Sequence, residues 1–216
     1  MNREIARILL DLNAVSLRIN PPFTWTSGRL APIYCDNRLL MSEPAGRKMV
    51  ANAFKVLIEE KKFKPEVIAG TATAGIPHAA WLADLMNLPM VYVRGTAKGH
   101  GKENRIEGRI EAGKAVVLIE DLISTGGSSV SAAEGLKQAG SKVLAVMAIF
   151  TYGLDVARKA FEDADIPFYA LTSFDVLAKE AEQCGILSKS DLDTLAEWQT
   201  DPALWSKRRK QELEQC

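Results

Sequence analysis

Val116–Ser129 reads VVLIEDLISTGGSS, and its character changes twice within that stretch. Four apolar residues run straight into the acids Glu120 and Asp121. Ser124, Thr125, Gly126, Gly127 and Ser128 come next and open a helical stretch over about Gly127–Ala139. An apolar run with no polar alternation is a strand buried on both faces, as in parallel sheets covered by helices. The glycines let the backbone approach a ligand closely. Successive N–H groups at a helix start, aided by the helix dipole, cradle a phosphate, and hydroxyls add donors. This is no Walker loop, because no Gly-Lys-Ser/Thr follows and two acids precede it. Acids beside the cradle would repel a phosphate, but they suit the hydroxyls of a sugar one ribose away. The turn therefore reads as a site for a ribose 5-phosphate, with hydroxyls on Glu120 and Asp121 and phosphate in Leu122–Ser128. A plain turn capped by Ser128 or Thr125 is the alternative; it accounts for one hydroxyl and not for the run.

Outward from this stretch the rhythm is regular. Apolar runs at Val67–Ala69, Met90–Val93, Ala115–Ile119, Val143–Phe150 and Phe168–Leu171 lie among helical stretches at about Ile76–Leu88, Gly127–Ala139, Leu154–Asp163 and Phe174–Cys184. That alternation predicts a doubly wound α/β domain with a parallel sheet, whose ligands bind beyond the carboxyl ends of the strands. Before it, Ile5, Ile8, Leu9 and Leu12 give residues 2–15 an amphipathic helix. Asn20–Arg38 mixes prolines, aromatics and turn residues, with an extended piece at Pro32–Cys35, and a helix follows over about Glu43–Lys61. Ser188–Gln215 reads as one or two polar helices, its basic Lys207–Lys210 a solvated face.

The 216 residues are 47% hydrophobic and 25% charged, ordinary globular composition. We divide them as one domain: an N-terminal segment of about 1–40, a core of about 43–172 and C-terminal helices of about 174–215. Lys+Arg and Asp+Glu both number 27, so the net charge is zero, which argues against nucleic acid or an anionic membrane as a partner held by global charge. The opening MNREIARILLDLN is too charged for a signal peptide, and no apolar run approaches a membrane span. Cys35, Cys184 and Cys216 form no CxxC pair; reduced thiols in a cytoplasmic protein are expected.

Two further loops leave strand ends. RGTAKGHGKENRIEGR, Arg94–Arg109, carries Arg94, Lys98, Lys102 and His100 between Gly95, Gly99 and Gly101, with no acid before Glu103. Such a loop reads as a lid whose cations meet a polyanion and exclude water on closing; a solvated surface loop is the alternative. GTATAG, Gly70–Gly75, fits no nucleotide fingerprint, though its small residues and hydroxyls would let phosphate oxygens touch backbone. His78, among Pro77, Ala79, Ala80 and Trp81, reads as structural. By composition alone, FTWTSGR (Phe23–Arg29) and PIYCDNR (Pro32–Arg38) read as a satellite hydrophobic cluster.

Val116–Ser129 resembles the phosphoribosyl-pyrophosphate signature of type I phosphoribosyltransferases, without a gap. FTWTSG…APIYCDNR resembles the N-terminal hood of orotate phosphoribosyltransferases, and Arg94–Gly108 their flexible catalytic loop. The match spans roughly Phe23 to Phe150 in the right order. The resemblance implies a parallel-sheet type I phosphoribosyltransferase fold and condensation of orotate with phosphoribosyl pyrophosphate, with Mg²⁺, to orotidine 5'-monophosphate and pyrophosphate in pyrimidine biosynthesis. It implies Lys98, His100 and Asp121 as the catalytic set, with Arg94, Lys98 and His100 on the pyrophosphate. Glu120 and Asp121 would hold the ribose hydroxyls, and Leu122, Ile123, Ser124, Thr125, Gly126, Gly127 and Ser128 the 5'-phosphate. Thr26, Ser27, Tyr34, Cys35 and Ser124 would border orotate. Mg²⁺ would be held mainly by substrate, with no dedicated side-chain ligand, and the protein would be a homodimer whose loop reaches the neighbour's site.

The chemistry implied needs no covalent nucleophile. Displacement at the anomeric carbon builds positive charge on ribose and negative charge on departing pyrophosphate, so catalysis is positioning and electrostatics. The chain departs from some branches of the family at Thr26, Gly95 and Ala74, where they carry a cation, and at Tyr152, where they have an arginine touching orotate. Two rivals remain: a purine phosphoribosyltransferase, against which the hood speaks, and a DNA-binding regulator of the same fold. A regulator should show a helix-turn-helix or a basic face, and neither is apparent in the sequence.

Overall fold

Strands apolar along their whole length need cover on both sides, and the fold supplies it. The computed structural model describes residues 1–95 and 105–214. In chain order these form α1 (Asn2–Asp11), β1 (Val15–Leu17), β2 (Phe23–Thr24), β3 (Leu30–Ala31), β4 (Ile33–Cys35), a 3-10 helix (Asn37–Ser42), α2 (Pro44–Glu60), β5 (Val67–Thr71), α3 (Gly75–Met86), β6 (Met90–Val93), β7 (Ile106–Glu107), β8 (Ala115–Ile123), α4 (Gly127–Gln138), β9 (Lys142–Thr151), α5 (Asp155–Asp163), β10 (Phe168–Ser173), α6 (Phe174–Gln183), α7 (Lys189–Thr200) and α8 (Pro202–Glu214). The main sheet has the order β10-β9-β8-β5-β6-β7. It is parallel except for β7, which pairs antiparallel with β6.

β8 shows why the sheet lies in the middle. Val117 and Ile119 face a core shared with Phe54 of α2, Leu82 of α3 and Leu177 of α6. Val116 and Leu118 face a second core with Leu136 of α4 and Phe161 of α5. All four are fully buried, each such burial stabilising by about 1.5–3 kcal/mol.

β8 runs four residues beyond the expected end at Ile119, because β9 continues beside it and the ladder goes on: Glu120 pairs with Ala148 and Leu122 with Phe150. The acidic pair therefore lies within the strand, which ends at Ile123, and the turn proper is Ser124–Gly126. The chain passes from β5 to β6 on one side and returns with β8 on the other, so a topological switch point falls between β5 and β8. The Gly70–Gly75 loop and the Ser124–Gly126 turn meet there. A Cβ on Gly75 would stand 2.5 Å from the Ile119 carbonyl oxygen, so only glycine lets α3 start this close to β8. Gly126 sits at φ +82, a left-handed turn that a side chain would strain.

The N-terminal segment covers the carboxyl end of the sheet. β1 pairs antiparallel with β4, and β2 with β3. The last helix reaches back to them: α8 packs on β3, and the Leu30 N–H donates to Ser206 Oγ at 2.9 Å. Among the described residues no helix is long and apolar enough to cross a membrane.

Candidate active site

α4 begins at Gly126 with no capping side chain. Neither Ser128 nor Thr125 closes the helix, so its first N–H groups are left for an outside acceptor. Thr125, Gly127 and Ser128 are exposed at this opening, and Ser124 is half-buried beside it. α3 also starts without a side-chain cap, directly after the Gly70–Gly75 loop. Two uncapped helix starts thus flank the switch point.

The two acids before the turn are not equivalent. Glu120 is buried, and its carboxylate accepts from Ser129 Oγ at 2.9 Å and from the Asp121 N–H at 3.1 Å. Burial pushes the Glu120 carboxyl up to about 8, and the neighbouring Asp121 charge adds to the rise. Glu120 is held inside the fold, and Asp121, half-buried, is the acid on offer. Asn37 fixes it from the hood side by donating Nδ2 to the Asp121 carbonyl at 2.8 Å.

Beside the turn lies a cavity of 420 Å³. Thr26, Ser27, Tyr34, Cys35 and Ser124, the five residues expected around the base, all line it, joined by Trp25, Leu122 and Tyr152. Trp25 donates its indole N–H to the Ile33 carbonyl at 3.0 Å and stacks on Tyr152, ring centroids 5.8 Å apart. Burial pushes the Cys35 thiol up, and Asp121 adds to this, so the thiol stays neutral. A flat aromatic wall with hydroxyls around it suits a planar heterocycle.

Lys98 and His100 lie outside the described residues. Both ends of the segment that carries them are anchored. The Arg94 N–H donates to the Arg105 carbonyl at 2.8 Å, and the Arg94 guanidinium pairs with Glu107 at 3.1 Å. Arg105 returns a bond to the Arg94 carbonyl and reaches Ser131 of α4 at 3.2 Å. The expected pyrophosphate contact of Arg94 would have to be shared with Glu107. His78 is buried edge-on against Trp81, and burial lowers it to about 4, consistent with a structural residue. Among the described residues no three of His, Cys, Asp and Glu converge as a metal cluster. Asp121 is a single oxygen donor, which fits a hard cation that takes most of its ligands from phosphate and water.

Asn37, Ser129 and Arg105 are not singled out by the sequence; Tyr152 is, only as a departure from an arginine that touches orotate in relatives. Asn37, inside the CDNR stretch, was the one with a signal. The others act through contacts across the fold.

The uncapped turn at a switch point and the hooded cavity beside it define a type I phosphoribosyltransferase, and the Phosphoribosyl transferase domain model matches residues 40–176. The chain is 55% identical over 195 residues to an orotate phosphoribosyltransferase of Oceanobacillus iheyensis, covering 90% of this chain and 96% of that protein. It is 53% identical over 203 residues to one of Fusobacterium nucleatum, covering 93% and 96%. Among solved structures, the Aeropyrum pernix orotate phosphoribosyltransferase matches with TM-score 0.73 and 26% identity over 85% of this chain and 99% of that one. The Leishmania donovani UMP synthase matches with TM-score 0.76 and 28% identity over 92% of this chain, which spans 42% of that longer one. The chain belongs to the orotate phosphoribosyltransferase family.

Proposed function

We propose that this protein transfers the 5-phosphoribosyl group from phosphoribosyl pyrophosphate to orotate, giving orotidine 5'-monophosphate and pyrophosphate for pyrimidine biosynthesis in the cytoplasm. The observation that carries the reading is the adjacency of two cradles: the uncapped turn at Ser124–Ser128 and the cavity walled by Trp25 and Tyr34. They are joined by Asp121 and Leu122, the span a ribose would bridge.

In this reading the backbone of Leu122–Ser128 and the hydroxyls of Ser124, Thr125 and Ser128 hold the 5'-phosphate. Asp121 accepts from the ribose hydroxyls, and Glu120, tied to Ser129, holds its backbone N–H. The ring nitrogen of deprotonated orotate forms the new bond to the anomeric carbon while the bond to pyrophosphate breaks, its electron pair leaving with pyrophosphate. Lys98, His100 and Arg94 meet the charge that grows on the leaving group, which is where preorganised donors gain most. Mg²⁺, held mainly by substrate oxygens with Asp121 as the fitting protein donor, supplies further neutralisation of that charge. The loop around Lys98 serves the site of a second copy in a homodimer.

The test is pyrophosphate release from phosphoribosyl pyrophosphate and Mg²⁺ with orotate, uracil, adenine, hypoxanthine and guanine offered separately. Release with orotate alone is expected. Release with a purine instead, or with none of the bases, overturns the reading.

A further inference from the structure

The base cavity and the ribose acid belong to different parts of the fold, and among the described residues one hydrogen bond joins the hood to β8. β5 accompanies β8 only as far as Ile119. Beyond it, Asp121 stands on a stretch whose sheet partner is β9 alone. Asn37, the first residue of the 3-10 helix, reaches that stretch from the hood by donating Nδ2 to the Asp121 carbonyl at 2.8 Å.

The bond starts from a fixed place. Tyr34 and Cys35, at the end of β4, line the cavity. β4 is paired with β1, and the Asp36 N–H donates to the Ala14 carbonyl at 2.7 Å. Leu40, one turn further along the 3-10 helix, is buried in the core. Asn37 itself is fully buried, two residues from the base wall and one bond from the ribose acid. The Cys35 thiol feels the Asp121 charge, so the two halves of the site meet here. Stability alone does not explain an asparagine at this point. Its Oδ1 is buried without a partner among the described residues, and an unpaired buried acceptor costs at least what one ordinary hydrogen bond contributes. A leucine, with the same branched shape, would avoid that cost; what the amide adds is position.

We infer that Asn37 is a positioning residue: by tying the Asp121 backbone to the hood, it holds the ribose acid in register with the base cavity, so that sugar and base are presented to each other for transfer. This rests on the orotate reading above. Asn37 acts through Asp121 on one side and through Tyr34 and Cys35 on the other. Each half keeps its own contacts without it, so its loss falls on the transfer step and not on affinity.

Asn37→Leu removes both the donor and the unpaired acceptor. The kcat should fall roughly 10- to 100-fold, the scale of a misplacement of about 1 Å, while the KM for each substrate stays within about threefold and the melting temperature holds or rises. A purely structural asparagine predicts the reverse, a lower melting temperature with kcat kept. That outcome, or an unchanged kcat in the folded variant, overturns the inference and leaves the enzyme's identity intact. Wild-type protein inactive with orotate sinks the underlying reading instead. If the variant does not fold, the sequentially assigned ¹⁵N side-chain amide of Asn37 in the wild-type protein decides. Orotate alone and phosphoribosyl pyrophosphate alone should each shift it, and a resonance unmoved by either ligand at saturation rejects the coupling.

Discussion

Glu120 and Asp121 are neighbours in sequence with opposite duties. The folded state raises the Glu120 carboxyl from 4.5 to about 8, so the native protein keeps a proton that the unfolded chain releases above 4.5. Stability therefore falls as pH rises through that window. Glu120→Gln fixes the protonated shape, and Ser129 Oγ can turn to accept from the amide. Melting curves across the window should show the variant gaining on wild type as pH rises; parallel curves would mean that Glu120 is ionised in the native state. Lys98 carries the prediction on rate. Lys98→Ala should lower turnover about 10²-fold or more, the scale for one preorganised charge, with substrate KM values little changed; turnover within a few-fold of wild type would remove Lys98 as the catalytic cation. At this scale the sequence revealed the residues that line the cavity, since they sit in two recognisable stretches. It could not reveal that Ser129 donates to Glu120 or that Tyr152 stacks on Trp25, because both are contacts across the fold.

At the scale of elements, the junction of β5, α3 and β8 is where the site tolerates least. Gly75→Ala would drive a methyl group to 2.5 Å from the Ile119 carbonyl oxygen, and neither backbone can yield without moving the other. A loss of about 1–3 kcal/mol is expected, the usual range for overpacking. The KM for phosphoribosyl pyrophosphate should rise with it, as the Gly70–Gly75 loop is pushed from the turn. Urea denaturation and steady-state kinetics on the same preparation check both, and wild-type stability would mean that the loop gives way freely. The long strands were legible as unbroken apolar runs and the helices between them as helical stretches, and β6 fell on Met90–Val93 as expected. Two things were not legible. The end of β8 depends on β9 continuing beside it, and β7 is two residues long, too short to leave a period.

Over the whole molecule, alternation of strand and helix implied a parallel sheet but not the strand order that creates the switch point. Order is decided by which helices can cover which faces, a property of the assembled layers. The shared site proposed for the dimer belongs to this scale. If the Lys98 loop serves its neighbour, a Lys98→Ala subunit paired with an Asp121→Ala subunit makes one intact and one doubly defective site. Mixing the two inactive mutants after dissociation gives half heterodimers, so activity should return to roughly a quarter of wild type by symmetry counting. Activity remaining at the parental level, with heterodimers shown to form, would assign the loop to its own subunit.

The contacts of α7 and α8 also bear on the order in which the protein becomes competent on the ribosome. Trp25 and Tyr34 emerge early and Tyr152 much later, but the wall they form is closed by Trp198 and Gln199 and by Ser206 on the Leu30 N–H. The chain emerges N-terminus first at about 5–20 residues per second, so the segments of the phosphate turn are made while the base cavity still lacks its backing. A nascent chain stalled before α7 should therefore retain phosphoribosyl pyrophosphate and fail to retain orotate, the pocket for the base being the last part of the enzyme to be born.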